Sequence, residues 1–212
     1  MNPSRPYDLA MFPLESVVLP GSVVPLHIFE PRYRTLAAQL SRRAEAEFGI
    51  ASITRGREIG GGDQRSDVAV VARVLEAEEF PDGRWSLVAL GTRRMSVVEW
   101  HDEDPYPRAS VLDWPDQPDG DPSDALKGLI VAFRELAEAA SRLHPGRGFQ
   151  RIDSIDDDPS RAIWQMIDKA QLGDLDQLGL LACPGVRERA LRATEMIDER
   201  RYLLDALAER DR

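Results

Sequence analysis

The sequence predicts an α+β protein, with a β-rich first half carrying one short helix and a second half made of amphipathic helices. Three observations carry this. From Leu9 to Trp114, short apolar runs of β type alternate with Pro- and Gly-containing turns. The stretch Pro115-Asp116-Gln117-Pro118-Asp119-Gly120-Asp121 contains only turn-forming and polar residues and no apolar side chain, so it reads as a boundary. After it, apolar residues recur at three- and four-residue spacing. The expected division is a β domain over 1–117 and a helical bundle over 118–212.

Phe12-Pro13-Leu14 and Val17-Val18-Leu19 are predicted as two short strands, and Pro20-Gly21 as a turn after which Val23 and Val24 restart a strand. Pro25 has no N–H to give to a ladder, so the run through Leu26, Ile28 and Phe29 is expected at a sheet edge or leaving the sheet. Glu30-Pro31 opens a helix, because proline suits the first helical position and an acidic group suits that end of the dipole. Tyr33, Leu36, Ala37 and Leu40 then share one helical face. Val68, Val70, Ala72 and Val74, with Ala69, Val71 and Leu75 on the other side, predict a central strand apolar on both faces. Pro81-Asp82-Gly83 is the next turn. Trp85–Leu90 and Met95–Trp100 are predicted as two strands separated by Gly91, and Pro105 to Trp114 closes the region. Short strands with one short helix fit a partly closed barrel or two-sheet pseudo-barrel.

In the second half, Asp121-Pro122 supplies an N-cap and first-turn proline for a helix carrying Leu126, Leu129, Ile130, Phe133, Leu136, Ala137 and Ala140. Asp158-Pro159 repeats the device ahead of Ile163, Met166, Ile167 and Ala170, with Gly173 expected to stop that helix. A short helix over Leu175 to Leu181 ends before Pro184. A last long helix carries Val186, Ala190, Ala193, Ile197, Leu204 and Leu207. Four helices with one apolar stripe each should bundle.

Twenty-seven basic against 37 acidic residues give a net charge of −10, a field that repels phosphate backbones and anionic lipid. The single Cys183 can form neither an internal disulfide nor a thiolate zinc cluster, which suits a reducing compartment. No signal-peptide pattern and no run of ~18 apolar residues is visible, so a cytoplasmic protein is expected.

Phe12-Pro13-Leu14, Leu19-Pro20-Gly21, Pro25-Leu26, Ile28-Phe29-Glu30 and Arg32-Tyr33 resemble the opening of the Lon protease N-terminal domain, the Lon substrate-binding domain. The resemblance continues through Arg55-Gly56-Arg57-Glu58 with Gly60 and Gly61, Asp67–Val74, Pro81-Asp82-Gly83-Arg84, Gly91 with Arg93-Arg94, and Pro105-Tyr106 with Ala109. In the helical half it rests on Gln177, Leu180-Leu181 and Arg189. One departure is Ala69-Val70, where the family usually has Gly-Thr. The resemblance implies a PUA-like β pseudo-barrel followed by a helical bundle. With no G-x-x-x-x-G-K-[ST] loop and no Ser-Lys dyad evident, it implies a stand-alone binding domain without ATPase or protease modules.

No residue constellation in the sequence calls for catalysis or metal binding. His27 and Glu30 have no third ligand nearby, and His101 and His144 add no metal spacing. The Asp153, Asp156, Asp157, Asp158 cluster lacks the pattern of a calcium loop. Gly60-Gly61-Gly62 reads as a hairpin tip rather than a phosphate cradle, Ser16, Ser22 and Ser52 have no base partner, and Lys127 and Lys169 read as solvated. No catalytic, metal or cofactor residue is therefore expected. Trp85, Trp100, Trp114 and Trp164 are expected mainly in the core, Trp100 and Trp114 being the more exposed.

The expected function is non-enzymatic polypeptide binding, with an unfolded or extended chain, or a partner protein or protease, as ligand. A strand edge marked by Pro25 and apolar surface from Trp100 and Trp114 are the expected contacts. A PUA-like nucleic-acid binder would need Arg55, Arg57, Arg65, Arg93 and Arg94 gathered on one face. A small-ligand sensor would need a pocket between the two subdomains. The final helix allows a homodimer.

Overall fold

The chain is seen in a computed structural model that describes residues 5–55, 64–143, 152 and 154–210. Its contacts divide after Pro115 into a β unit and a helical unit that begins at Asp116.

The β unit contains β1 (Tyr7–Leu14), β2 (Val23–Ile28), α1 (Pro31–Leu40), β3 (Glu47–Arg55), β4 (Gln64–Glu79), β5 (Trp85–Trp100) and β6 (Arg108–Asp113). The strand order is β2-β5-β4-β3-β1-β6, and a further β5–β6 pairing closes five of the six strands into a barrel. Among the six described strands, β1 and β3 are the one pair that runs parallel. The closure depends on β5. Its first half, Trp85 to Leu90, pairs with β2, and its second half, Met95 to Trp100, pairs with β6, while β4 follows it along the other side. Two register shifts in the β4–β5 ladder bend these long strands and increase their twist, as bulges do.

Gly91 sits at the first of these shifts and does not divide β5, contrary to the two strands expected from the sequence. Val71 pairs with Arg93 and Ala72 with Gly91, leaving Thr92 as the extra residue, and its hydroxyl donates to the Val71 carbonyl at 2.8 Å. The Leu19 carbonyl oxygen occupies the space a Cβ at residue 91 would need. This close approach also explains why Val17-Val18-Leu19 is not a strand. The run is held to β5 by its end: Gly21 N–H donates to Gly91, Gly91 N–H donates to Ser22, and Ser22 N–H turns back to Leu19. Val18 and Leu19 are buried there without joining a ladder.

Leu9, Met11, Ala51, Ala69, Val71, Met95, Ala109 and Val111 form one core cluster inside the barrel. Ala69 and Val70 stand in regular register against β3 and β5. On α1, Tyr33, Leu36, Ala37 and Leu40 are the buried face, as the spacing predicts, and Glu30-Pro31 starts the helix. The Tyr33 ring meets Phe12 at 4.3 Å between centroids, and Phe12 meets Phe48 at 6.5 Å. Burying a Leu such as Leu36 in this layer contributes ~1.5–3 kcal/mol.

The helical unit contains α2 (Ser123–Leu143), α3 (Pro159–Lys169), α4 (Asp174–Leu181) and α5 (Val186–Arg210). Asp121 accepts from the N–H and hydroxyl of Ser123, and Asp158 accepts from Arg161 N–H ahead of Pro159 at the first turn. The start of α5 is capped from a distance: Asp119 accepts from the backbone N–H groups of Arg187 and Glu188 at 3.2 and 2.7 Å. Gly173 is the N-cap of α4, because α3 already ends at Lys169. The buried line of α2 is Ala125, Leu129, Ala132, Leu136 and Ala139. The larger Leu126, Ile130 and Phe133 flank it, because alanines let α2 and α5 approach along Ala190, Ala193 and Ile197. Leu207 is exposed rather than in the α5 stripe. Among the described residues no helix is long and apolar enough to cross a membrane. The expected Gly60-Gly61-Gly62 tip, with Arg57, Glu58, His144 and Asp153, lies outside the described residues.

Candidate functional site

Among the described residues β2 is the terminal strand of the sheet, paired only with β5. Because Gly91 N–H donates to the Ser22 carbonyl at 2.9 Å, the antiparallel alternation turns the backbone groups of Val24, Leu26 and Ile28 toward β5. Val23, Pro25 and His27 therefore direct theirs to the open edge. That edge offers the N–H groups of Val23 and His27 and three carbonyls, while Pro25 contributes no donor. All three of these side chains are exposed, whereas Leu26 and Ile28 are buried.

At the end of this edge lies a cleft of about 360 Å³ lined by His27, Ile28, Phe29, Phe80, Arg84 and Trp85. Phe29 follows the buried Ile28, so strand alternation sends its ring outward, and the chain then turns into α1 at Pro31 without covering it. Its side chain is 53% exposed. Phe80, 36% exposed, comes from the tip of the β4–β5 hairpin. Its N–H donates to Arg84 and its carbonyl accepts from Gly83 N–H, both at 2.8 Å. Gly83 adopts φ +76°, and the Arg34 guanidinium fills the space beside it where a Cβ would stand. Asp82 accepts from the Arg84 backbone N–H and side chain, and these bonds hold its carboxyl below the usual range. The tip is thus fixed on both sides, and two aromatic rings stand in solvent next to unpaired strand backbone.

This arrangement suits the seating of a large apolar side chain with main-chain hydrogen bonding beside it. Glu30 pairs with Arg32 at 3.3 Å and not with His27. Among the described residues no group of three His, Cys, Asp or Glu side chains could hold a metal ion.

The sequence-predicted contact residues do not converge. Pro25 lies on the open edge, opposite Val88. Trp100 ends β5 twelve positions further on, roughly 40 Å along the strand. It is half-buried, with the Arg65 guanidinium 4.6 Å from its ring centroid. Trp114 follows β6 and is half-buried under Arg94, at 5.1 Å. Trp85 and Trp164 are buried. Phe29 and Phe80 were legible only indirectly, one from the in-out alternation of β2 and the other from its place immediately before a Pro-Asp-Gly turn.

Two of the arginines considered for an anionic backbone, Arg65 and Arg93, are matched by carboxylates. Arg93 donates to both oxygens of Glu47 at 2.6 and 2.9 Å and to Asp113 at 3.0 Å, and Arg65 pairs with Glu103. Arg94 is buried. In the same network, burial and a hydrogen bond donated to Asp113 at 2.6 Å push the Tyr7 hydroxyl up to about 12.

A sequence family described as the ATP-dependent protease La (LON) substrate-binding domain matches residues 8–199. The chain belongs to this family. Among curated relatives, a Lon protease of Flavobacterium johnsoniae is 24% identical over 193 residues, covering 90% of this chain and 24% of that protein. A Lon protease of Anaeromyxobacter dehalogenans is 30% identical over 143 residues, covering 66% of this chain and 17% of its own length. The chain thus spans a quarter or less of the curated relatives it matches. Solved structures share the fold. A Lon N-terminal domain protein from Xanthomonas campestris has TM-score 0.61 and 24% identity, covering 86% of this chain and 94% of that one. The N-terminal domain of a Mycobacterium avium complex Lon protease has TM-score 0.64 and 17% identity, covering 91% and 99%. The expected α+β fold, a β pseudo-barrel followed by helices, is the observed one.

Proposed function

We propose that this Lon-family domain is a non-enzymatic recognition module that takes an extended segment of polypeptide, from a client or a partner protein, along the β2 edge. The observation that carries this reading is the adjacency of an unpaired strand edge to the Phe29–Phe80 cleft. The edge supplies sequence-independent main-chain hydrogen bonds, and the cleft selects for a bulky apolar side chain. Pro25 interrupts the edge in its middle, which disfavours pairing with another β2 more than pairing with a pliable segment.

A buried ligand aromatic removes ~150 Å² of apolar surface, worth about 3–4 kcal/mol at ~25 cal/mol per Å², before ordering costs are subtracted. A few edge hydrogen bonds add about 1 kcal/mol each, so a single segment should bind with Kd on the order of 10 µM to 1 mM. Such weak, general affinity fits a domain that samples many chains.

The test is fluorescence anisotropy of a labelled extended peptide carrying one Phe, titrated with the full chain and with the Phe29→Ser/Phe80→Ser variant. Phe29 is about half exposed and Phe80 about a third, so the variant should stay folded with a thermal midpoint lower by a few degrees and lose about tenfold in affinity, the loss of roughly 1.4 kcal/mol of apolar contact. Equal binding by the variant, or no binding of any unfolded polypeptide by the wild type, would overturn the proposal.

A further inference from the structure

The same hairpin tip borders a second groove, of about 440 Å³, between α1 and the β4–β5 turn. Its lining includes Arg34, Gln39, Arg42, Glu79, Gly83 and Trp85. Trp85 also lines the Phe29–Phe80 cleft, so the two depressions adjoin across one residue.

The donors in this groove are positioned. Arg34 is half-buried and packed on Gly83, which orients its fork. Tyr106, itself buried, donates to Gln39 Oε1 at 2.6 Å, which leaves the Gln39 amide N–H groups as donors. Neither Arg34 nor Arg42 forms an ion pair with a carboxylate among the described residues, whereas the neighbouring Arg32 and Arg84 are paired with Glu30 and Asp82. Both guanidinium groups therefore keep donors open to an incoming anion, in the planar fork that suits a carboxylate. Two arginines against one glutamate leave the lining net positive, which favours an anionic side chain over an apolar one.

We propose that this groove is a carboxylate subsite for the polypeptide seated in the Phe29–Phe80 cleft, taking an Asp or Glu side chain of the same segment. This rests on the polypeptide-binding reading. Because Trp85 borders both depressions, the apolar anchor and the acid should lie about 10–13 Å apart, or three to four extended residues at ~3.3 Å each. The preferred ligand is thus an extended chain with a large apolar residue and an acidic residue three or four positions away, rather than any apolar segment.

The experiment uses the full chain and four labelled peptides of one sequence: Phe with Gln at the fourth position, Phe with Glu there, Phe with phosphoserine there, and Ser in place of Phe with Glu kept. The Phe–Glu peptide is expected to bind about three- to fivefold more tightly than Phe–Gln at low salt, the size of a partly exposed ion pair. That gain should vanish in Arg42→Gln, an exposed position, and in high salt, while Phe–Gln binding stays unchanged. Equal binding of the Glu and Gln peptides, or a gain kept by Arg42→Gln, overturns the subsite and leaves the apolar site standing. A phosphoserine peptide that binds far more tightly than the Glu peptide overturns the assignment to a carboxylate. No binding by any Phe peptide overturns the polypeptide reading, and the subsite with it.

Discussion

Pro25 stands opposite Val88 in the single ladder that β2 makes, with its nitrogen turned to the open side of the strand. Only a residue without an N–H can occupy that place and leave a gap in the donor row. The Pro25→Val variant should complete the row and remove the gap. It is expected to self-associate at lower concentration than the wild type, with a folding stability changed by less than about 1 kcal/mol, since the position is exposed and pairs on one side only. Light scattering across a concentration series reads this directly, and identical curves would show that the edge is not open.

Gly91→Ala should be costly, because the added methyl would meet the Leu19 carbonyl oxygen and must displace the Leu19–Ser22 turn from β5. Overpacking against backbone of this kind costs ~1–3 kcal/mol. A denaturant midpoint unchanged from wild type would contradict the close approach.

Arg189 is the buried cation of the helical unit: its guanidinium lies 4.1 Å from the Trp164 centroid, donates to Asp116 and approaches the Ser160 hydroxyl at 3.4 Å. Removing only the carboxylate leaves the charge buried without its partner, so Asp116→Ala is expected to destabilise the chain by ~2–4 kcal/mol. Arg189→Met keeps the volume and removes the demand for a partner, and should cost less. The reverse order in urea unfolding would show that the stack on Trp164, rather than the ion pair, sets the energy.

Tyr7 keeps its proton up to about 12 in the folded chain, against 10.0 for an ordinary tyrosine. Between those values the unfolded state has released the proton and the folded state has not, so stability falls as pH rises through this window. Tyr7→Phe should flatten that decline. Toward acid, hydrogen bonds from Ser110 and His101 hold Asp8 below the usual carboxylate range. The small stability this contributes is present above the ordinary Asp value and is lost as pH falls through the lowered one.

The legible parts of the fold were those set by local rules. The α1 face was readable because Tyr33, Leu36, Ala37 and Leu40 follow one helical period behind a Glu-Pro start, and the Asp158-Pro159 cap because capping is chemistry within four residues. The continuity of β5 was not, since Gly91 looks like a break until Leu19, 72 positions earlier, is seen to press against it. The start of β1 was missed for a similar reason: Tyr7 to Ala10 are strand because they pair with β6 a hundred residues on. In the candidate site the open edge was announced by Pro25. The rings of Phe29 and Phe80 were not, because apolar residues at a strand end and before a turn are ordinarily core, and only the tertiary path of α1 and the hairpin leaves them uncovered.

Strand addition at β2 should be visible in amide hydrogen exchange of the full chain with and without a saturating extended Phe-containing peptide. The expected result is slowed exchange at the outward amides of Val23 and His27 and around Phe29 and Phe80, with the rest of the barrel unchanged. Exchange at Val23 and His27 that is unaffected by bound peptide would contradict the account and place recognition elsewhere on the chain.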